Sequence, residues 1–135
     1  MTADCNNDEM WFKYGDEFKG VCIGFDTSLL FERVGGGGEV QYVEELPIID
    51  FVKDDFKSRH VKNIYYKEIK WSFEKEYRLH KMWQHNVTND ERNIELPTNC
   101  IVKIILGEKM PLQDREEIKQ IARINYPNAE IIENH

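Results

Sequence analysis

Two carboxylates and a guanidinium alternate with large aromatic residues in one short segment of the chain. The segment reads Trp-Ser-Phe-Glu-Lys-Glu-Tyr-Arg and spans residues 71–78. Because side chains on a β-strand alternate between its two faces, a strand here would place Glu74, Glu76 and Arg78 in one polar row. Two carboxylates on one face can share a proton, which raises one pKa and creates a general acid and base. Alternatively, Arg78 neutralises both, and the row is a structural ion pair or a solvated face.

Other residues with reactive side chains form no recognisable motif. Strict alternation would extend the polar row to His80, but no second histidine stands at a metal-binding spacing, so we predict an ordinary polar row and no metal site. Surface or loop positions are expected for the remaining histidines, His60, His85 and His135. Cys22 lies inside an apolar run without a turn to present it, and we expect it, like Cys100, to be a buried thiol. Cofactors stay unknown at this stage.

Composition limits the class of protein. A chain of 135 residues suits one compact domain, residues 1–135, and 41% hydrophobic residues can supply its core. The formal charge of −7 disfavours nucleic acid as a partner. The longest apolar run is far shorter than the roughly 20 residues of a membrane-spanning helix. Residues 1–10 lack the basic start and apolar centre of a secretion signal, so we expect a cytoplasmic protein without a membrane partner.

The first third of the chain predicts a helix, a strand and a loop. Trp11, Tyr14 and Phe18 recur at helical spacing from about residue 9 to 19, and Gly20 suits a left-handed helix end. The next residues, 21–25, are almost continuously apolar, which favours a central strand buried on both faces. Residues 27–34 predict one or two helical turns. The glycines at 35–38 predict a flexible break; no Gly-Lys-Ser/Thr follows, so a phosphate-binding loop is disfavoured.

The remainder predicts an α+β domain. Residues 40–43 suggest a short strand, and residues 49–63 a helix with Val52 and Phe56 on its apolar face. The aromatic content of residues 71–78 favours a strand, although a helix would pair Glu74 with Arg78 at four-residue spacing. The C-terminal part predicts a strand-helix-strand unit, with a core strand at 101–106, a helix from Pro111 and a strand at 129–132. We expect Ile118, Ile121 and Ala122 on the buried side of that helix. We predict one mixed β-sheet flanked by helices.

Three blocks of the sequence resemble a bacterial protein family of unknown function. The first begins Met10-Trp11 and continues through a tyrosine to Lys19-Gly20 and Cys22, which is similar to the family's MWxxY and KGxC pattern. The second contains Lys67 and then the WxFExEYR pattern of residues 71–78, and residues 104–107 resemble the closing strand. The resemblance implies no established activity. Because family members are generally longer at the N-terminus, the resemblance implies that their additional segment has no counterpart in these residues, and we expect a second copy to cover the sheet edge that this would expose.

A weaker resemblance concerns the glutamates alone. Glu74 and Glu76, separated by one residue, are similar to the glutamate pair of some ADP-ribosyltransferases. In those enzymes one glutamate holds the nicotinamide ribose and the other helps to orient the acceptor. No matching His or Arg strand and no Ser-Thr-Ser motif precede the pair in this chain. The resemblance therefore implies a nucleotide-dependent transferase only as an alternative.

The sequence leaves three hypotheses for function. The first is a small cytoplasmic interaction or ligand-binding domain, homodimeric or with a protein or small-molecule partner, that uses the face of Glu74, Glu76 and Arg78. The second is the transferase, with the same residues as candidate catalytic groups. The third makes the polar row a salt-bridged support of the fold. The hypotheses differ in whether the row lines a pocket, an exposed face or the interior.

Overall fold

The computed structural model describes residues 1–133, which form an α+β fold. Within that range the five α-helices are Asp8–Tyr14 (α1), Thr27–Val34 (α2), Phe56–Ile64 (α3), Asn89–Arg92 (α4) and Leu112–Asn125 (α5). The seven strands are Val21–Phe25 (β1), Gly36–Glu39 (β2), Gln41–Val43 (β3), Tyr66–Glu68 (β4), Tyr77–His80 (β5), Ile101–Leu106 (β6) and Glu130–Glu133 (β7). Two 3₁₀ helices span Ile69–Glu74 and Thr98–Cys100. No helix in this part of the chain is both long and apolar enough to cross a membrane.

The chain divides into two compact units. Unit 1 comprises Met1–Asn7 and Gly36–His80, and unit 2 comprises Asp8–Gly35 and the described residues from Lys81 onward. Unit 2 contains a three-stranded mixed sheet in the order β1-β6-β7, in which β6 pairs antiparallel with β1 and parallel with β7. The predicted α+β class, the mixed sheet and the C-terminal strand-helix-strand unit are confirmed.

The core of unit 2 lies between β6 and α5. Ile104, Leu106, Met110 and Ala122 form a buried cluster, with Ile118 packed against it. Ile121 is 48% exposed, so its predicted burial is wrong. Successive helical residues are rotated by about 100°, and with Ala122 directed at the sheet its neighbour falls on the flank of α5.

The position of β1 also differs from the prediction. It is an edge strand rather than a central one, and Ile23 is 47% exposed. A short apolar run predicts a strand but not whether that strand is central or at the edge of a sheet, because periodicity depends only on the local sequence. Cys22 on this strand is partly exposed, whereas Cys100 is fully buried as predicted.

Unit 1 contains two small strand pairs. β2 and β5 are antiparallel, and β3 and β4 are parallel. Three of the four glycines predicted as a flexible break, residues 36–38, therefore lie in a strand, and Gly35 is the left-handed C-cap of α2. Their lack of side chains allows close packing: a Cβ on Gly36 would lie 2.8 Å from His80 Nε2, and one on Gly38 would lie 3.0 Å from the Tyr65 ring. The glycine run serves close approach of neighbouring rings, which a composition-based loop assignment does not consider.

Two predicted helices are shorter in the structure. α1 ends at Tyr14, and the left-handed residues that follow are Asp16, Glu17 and Phe18, not Gly20. α3 begins only at Phe56, because the Asp55 side chain accepts a hydrogen bond from the Ser58 N–H and caps the helix. Val52 lies in the preceding turn and is 94% exposed, so it does not contribute an apolar helix face.

Candidate functional site

Segment 71–78 is not one continuous strand, which corrects the geometry on which the polar row was based. The 3₁₀ helix ends at Glu74, Lys75 adopts a left-handed conformation with φ of 44°, and β5 starts at Tyr77. The left-handed residue interrupts the two-residue alternation of a strand. Glu74 and Glu76 are therefore not placed together by strand geometry.

A lysine from another strand joins the two carboxylates. Lys67, in the middle of β4, donates from Nζ to Glu74 Oε2 and, at 3.1 Å, to Glu76 Oε2. Arg78 in β5 completes the group, which we call the polar cluster: Lys67, Glu74, Glu76 and Arg78. The residue Glu74 is 6% exposed, and the side chain of Glu76 is 17% exposed. The structure thus brings the three predicted residues together, around a fourth.

Arg78 binds Glu76 through two parallel hydrogen bonds. Arg78 Nε lies 2.6 Å from Glu76 Oε1, and Nη2 lies 3.0 Å from Oε2. Such bidentate pairs are among the strongest polar contacts in proteins, since both partners are charged and their planar shapes match. The third nitrogen, Nη1, donates to the carbonyl of Ile64 at 2.6 Å. Ile64 is the last residue of α3, where a cation also complements the helix dipole.

Backbone contacts fix the position of Glu76. Its N–H donates to Tyr42 Oη in β3 at 2.7 Å, and its carbonyl accepts from the Val40 N–H at 2.9 Å. The polar cluster therefore ties together β3, β4, β5 and the end of α3. Every one of these elements belongs to unit 1.

The charges in the polar cluster balance, two cations against two carboxylates. The hydrogen bonds from Arg78 lower the pKa of Glu76; burial opposes this effect, and Lys67 adds to it. Burial lowers the pKa of Lys67, but its hydrogen bonds to Glu74 and Glu76 outweigh burial and raise that pKa overall. The sequence left two alternatives open, a pair of carboxylates sharing a proton and carboxylates neutralised by cations. The geometry of the polar cluster is that of the second. The functional role of Glu74, Glu76 and Arg78 stays a prediction.

His80 belongs to a separate aromatic group rather than to the polar row. Its Nδ1 lies 2.6 Å from Tyr65 Oη, and its ring meets the His60 ring edge-on at 4.9 Å between centroids. Burial raises the pKa of Tyr65, so its hydroxyl keeps its proton, and the tautomer of His80 decides which of the two groups donates. In unit 2, His85 contacts Glu91 at 3.4 Å, and His135 lies outside the described residues. Among residues 1–133, no cluster of three or more His, Cys, Asp or Glu is arranged to hold a metal ion.

Sequence reasoning assigned no role to two members of this environment. Lys67 and Tyr42 contact Glu76 from other strands, at separations of nine and 34 residues. No spacing rule links such positions, because strand pairing decides them. The one signal available was Lys67 in the motif shared with the resembling family.

Residues 10–79 match the family described as a protein of unknown function, DUF2971. The match covers more than half of the chain and includes all four residues of the polar cluster. The chain belongs to this family. The predicted resemblance to a family of unknown function is confirmed at that level, and its individual motifs and bacterial origin stay predictions. No curated protein and no solved structure matches the chain.

Proposed function

We propose that this chain is a cytoplasmic interaction or ligand-binding domain, and that Glu74, Glu76 and Arg78 organise its functional surface. Lys67 joins them as the fourth member. One observation carries the proposal: both oxygens of Glu76 accept hydrogen bonds from cations, Oε1 from Arg78 and Oε2 from Arg78 and Lys67. A carboxylate held in this way is suited to fixing the position of other elements.

The same contacts disfavour acid–base catalysis by Glu76. A general acid or base works best when its pKa lies near the working pH, which for a carboxyl group requires a raised pKa. Arg78 lowers the pKa of Glu76 instead, with burial opposing and Lys67 assisting. The polar cluster therefore favours rigid support of a binding surface over proton transfer.

A panel of small molecules tests binding against turnover. The ¹⁵N-labelled chain is titrated with inorganic phosphate, AMP, ADP-ribose and NAD, and each solution is then analysed by chromatography. We expect saturable amide shifts in unit 1 with at least one compound, which is recovered unchanged. Consumption of NAD by the wild type that disappears in Glu76→Gln would establish the transferase instead and sink the binding proposal.

A matched pair of variants separates support of a surface from support of the fold alone. Glu68→Gln is the control, since Glu68 lies in β4 but pairs with Lys70 at 2.7 Å with a side chain that is 46% exposed. We expect Glu76→Gln to weaken binding of the compound from the panel while Glu68→Gln leaves it unchanged. If Glu76→Gln lowers the melting temperature and binding is unaltered, the polar cluster is a purely structural support.

A second copy of the chain is the protein partner that we propose. β1 is one of the two edge strands of the sheet in unit 2, with Ile23 47% and Val21 37% exposed. Edge strands with apolar side chains pair readily with another strand. Sedimentation velocity should show a dimer that Ile23→Lys dissociates, and a wild-type monomer at high concentration would contradict this part of the proposal.

A further inference from the structure

An open depression lies beside α3 in unit 1. Its volume is about 410 Å³, and its lining consists of Lys57, Ser58, Val61, Lys62 and Tyr66. No acidic residue is among these five. Pockets for small ligands typically have volumes of about 300–1,000 Å³, so the depression can seat a compact molecule.

The polar cluster and its neighbours fix one wall of the depression. The two chain neighbours of Tyr66 are held in place, Tyr65 by His80 and Lys67 by the two glutamates. Tyr66 begins β4, and in that strand its side chain lies on the opposite face from that of Lys67. There it contributes to the depression together with the α3 residues.

The second wall is one side of α3. Lys57 and Val61 are four residues apart, as are Ser58 and Lys62, so the four side chains form two adjacent rows on the helix. Helical geometry thus places two ammonium groups, a hydroxyl and an apolar side chain around one space. Tyr66 adds an aromatic ring to the lining of the depression.

Lys62 and Lys57 differ in how they are held. Lys62 Nζ donates to Asp54 Oδ2 at 2.6 Å and to the Ile48 carbonyl at 3.0 Å. An ammonium group has three donors, so Lys62 is fixed in position with one N–H left for a ligand. Lys57 forms no ion pair within the described residues, but it is close enough to Asp55 that, after the hydrogen bonds from Ser58 and against burial, its charge also lowers the pKa of that carboxyl group. Between Lys53 and Arg78 the sequence holds eight lysines and arginines against five acidic residues, an excess of three positive charges.

The geometry points to a binding site for a phosphorylated small molecule that carries a ring, such as a nucleoside monophosphate. Lysine ammonium groups bind phosphate as point charges, and the Ser58 hydroxyl, which hydrogen-bonds to the Asp55 carboxylate, lies in the same lining. The ring would pack against Tyr66 and Val61, because bases stack readily on aromatic side chains. This inference rests on the proposed binding function and names the ligand class and its place.

The test is a titration followed by the amide resonances of the ¹⁵N-labelled full chain. The probes are AMP, adenosine and inorganic phosphate. We expect AMP to shift the amides of Lys57, Ser58 and Tyr66 saturably, with adenosine and phosphate each binding more weakly. Lys57→Gln should weaken AMP binding by about tenfold, the loss expected for one charge-assisted contact.

Lys53→Gln is the matched control. Lys53 carries the same charge in the turn before α3, outside the depression, and its side chain is 85% exposed. Both variants change exposed positions, so an unchanged amide spectrum verifies the fold of each. Equal weakening by Lys53→Gln and Lys57→Gln would reveal unspecific attraction and overturn the inference.

The mapped shifts separate this inference from the proposed function. Saturable AMP shifts at Lys67, Glu74 and Glu76 but not at Lys57, Ser58 and Tyr66 would overturn the depression as the site while leaving a binding domain. An absence of saturable shifts with all three probes would also overturn the inference. If no compound of the wider panel binds, the small-molecule part of the proposed function fails with it.

Discussion

Replacing Glu76 with glutamine removes the charge on which the polar cluster depends. Glutamine retains one carbonyl oxygen, which can still accept from Arg78. Its NH₂ group then takes the place of the second oxygen and faces another donor, Lys67 Nζ, which is 3.1 Å from that oxygen in the wild type. Lys67 and Arg78 are left with excess positive charge in a partly buried environment.

The magnitude follows from the contacts and their exposure. Hydrogen bonds to charged groups contribute about 1.5–3 kcal/mol each, and breaking a fully buried ion pair costs about 3–5 kcal/mol. Here the side chains of Glu76 and Arg78 are 17% and 29% exposed, so solvent screens part of the effect. We expect Glu76→Gln to lower the free energy of unfolding of unit 1 by about 2 kcal/mol, a factor of about 30 in the equilibrium constant.

The control is the same Glu-to-Gln change at Glu68, in strand β4. Glu68→Gln removes a carboxylate whose ion pair with Lys70 is largely exposed, with side chains 46% and 62% accessible. Exposed pairs contribute about 0–1 kcal/mol, so we expect a loss below about 0.5 kcal/mol. The two variants differ in burial and in the number of cations contacted.

Urea denaturation followed by the indole N–H resonance of Trp71 measures both variants. Trp71 lies in unit 1, so its signal reports on the unit that contains the polar cluster. The slope against urea should stay unchanged while the midpoint of Glu76→Gln falls. Equal midpoints for Glu76→Gln and Glu68→Gln would refute the reasoning, because the polar cluster would then stabilise no more than a surface pair.

Three further predictions follow from the same structure. Folding lowers the pKa of Glu76 through Arg78, with burial opposing and Lys67 assisting, so the stabilisation from Glu76 is fully present above the ordinary glutamate pKa of about 4.3. The difference in unfolding free energy between wild type and Glu76→Gln should therefore shrink as the pH falls below that value and through the pKa of the folded state. Urea denaturation at several pH values measures this difference. Gly36→Ala places a Cβ 2.8 Å from His80 Nε2 and should destabilise unit 1 by about 1–3 kcal/mol, whereas an unchanged melting temperature would show that the ring moves freely. Arg115→Met removes the 2.9 Å contact with Glu133 and hydrogen bonds to two carbonyls, so unit 2 should lose about 2–3 kcal/mol. Urea denaturation followed by the indole N–H resonance of Trp11, which lies in unit 2, measures this loss, and a value under about 0.5 kcal/mol would contradict the prediction.

The elements that the sequence predicted well are those with a long, regular pattern. β6, α5 and β7 combine a continuous apolar run, helical periodicity and a proline at the helix start, and all three formed near the expected residues. The prediction of a flexible break at the glycines was wrong for residues 36–38. These positions need glycine because the rings of His80 and Tyr65, which are distant in sequence, lie close to them. Local composition carries no information about such contacts.

The candidate site, too, was predicted in part. Residue type and spacing selected Glu74, Glu76 and Arg78, and the structure places them within one cluster. The predicted cause, alternation along one strand, is wrong, because the left-handed Lys75 breaks it. Lys67 joins the carboxylates across strand pairs, so its contribution required the fold.

The charge state of Glu76 in the folded chain tests the central claim most directly. The carboxyl carbon of Glu76, assigned by comparison with Glu76→Gln, is followed by ¹³C NMR as the pH is lowered. If the polar cluster is a neutralised support for a binding surface, Glu76 titrates with a pKa below the usual range of glutamate, because Arg78 and then Lys67 hold it ionised against the opposing effect of burial. A pKa above that range would mean a carboxyl group poised for proton transfer, and it would contradict the proposed function.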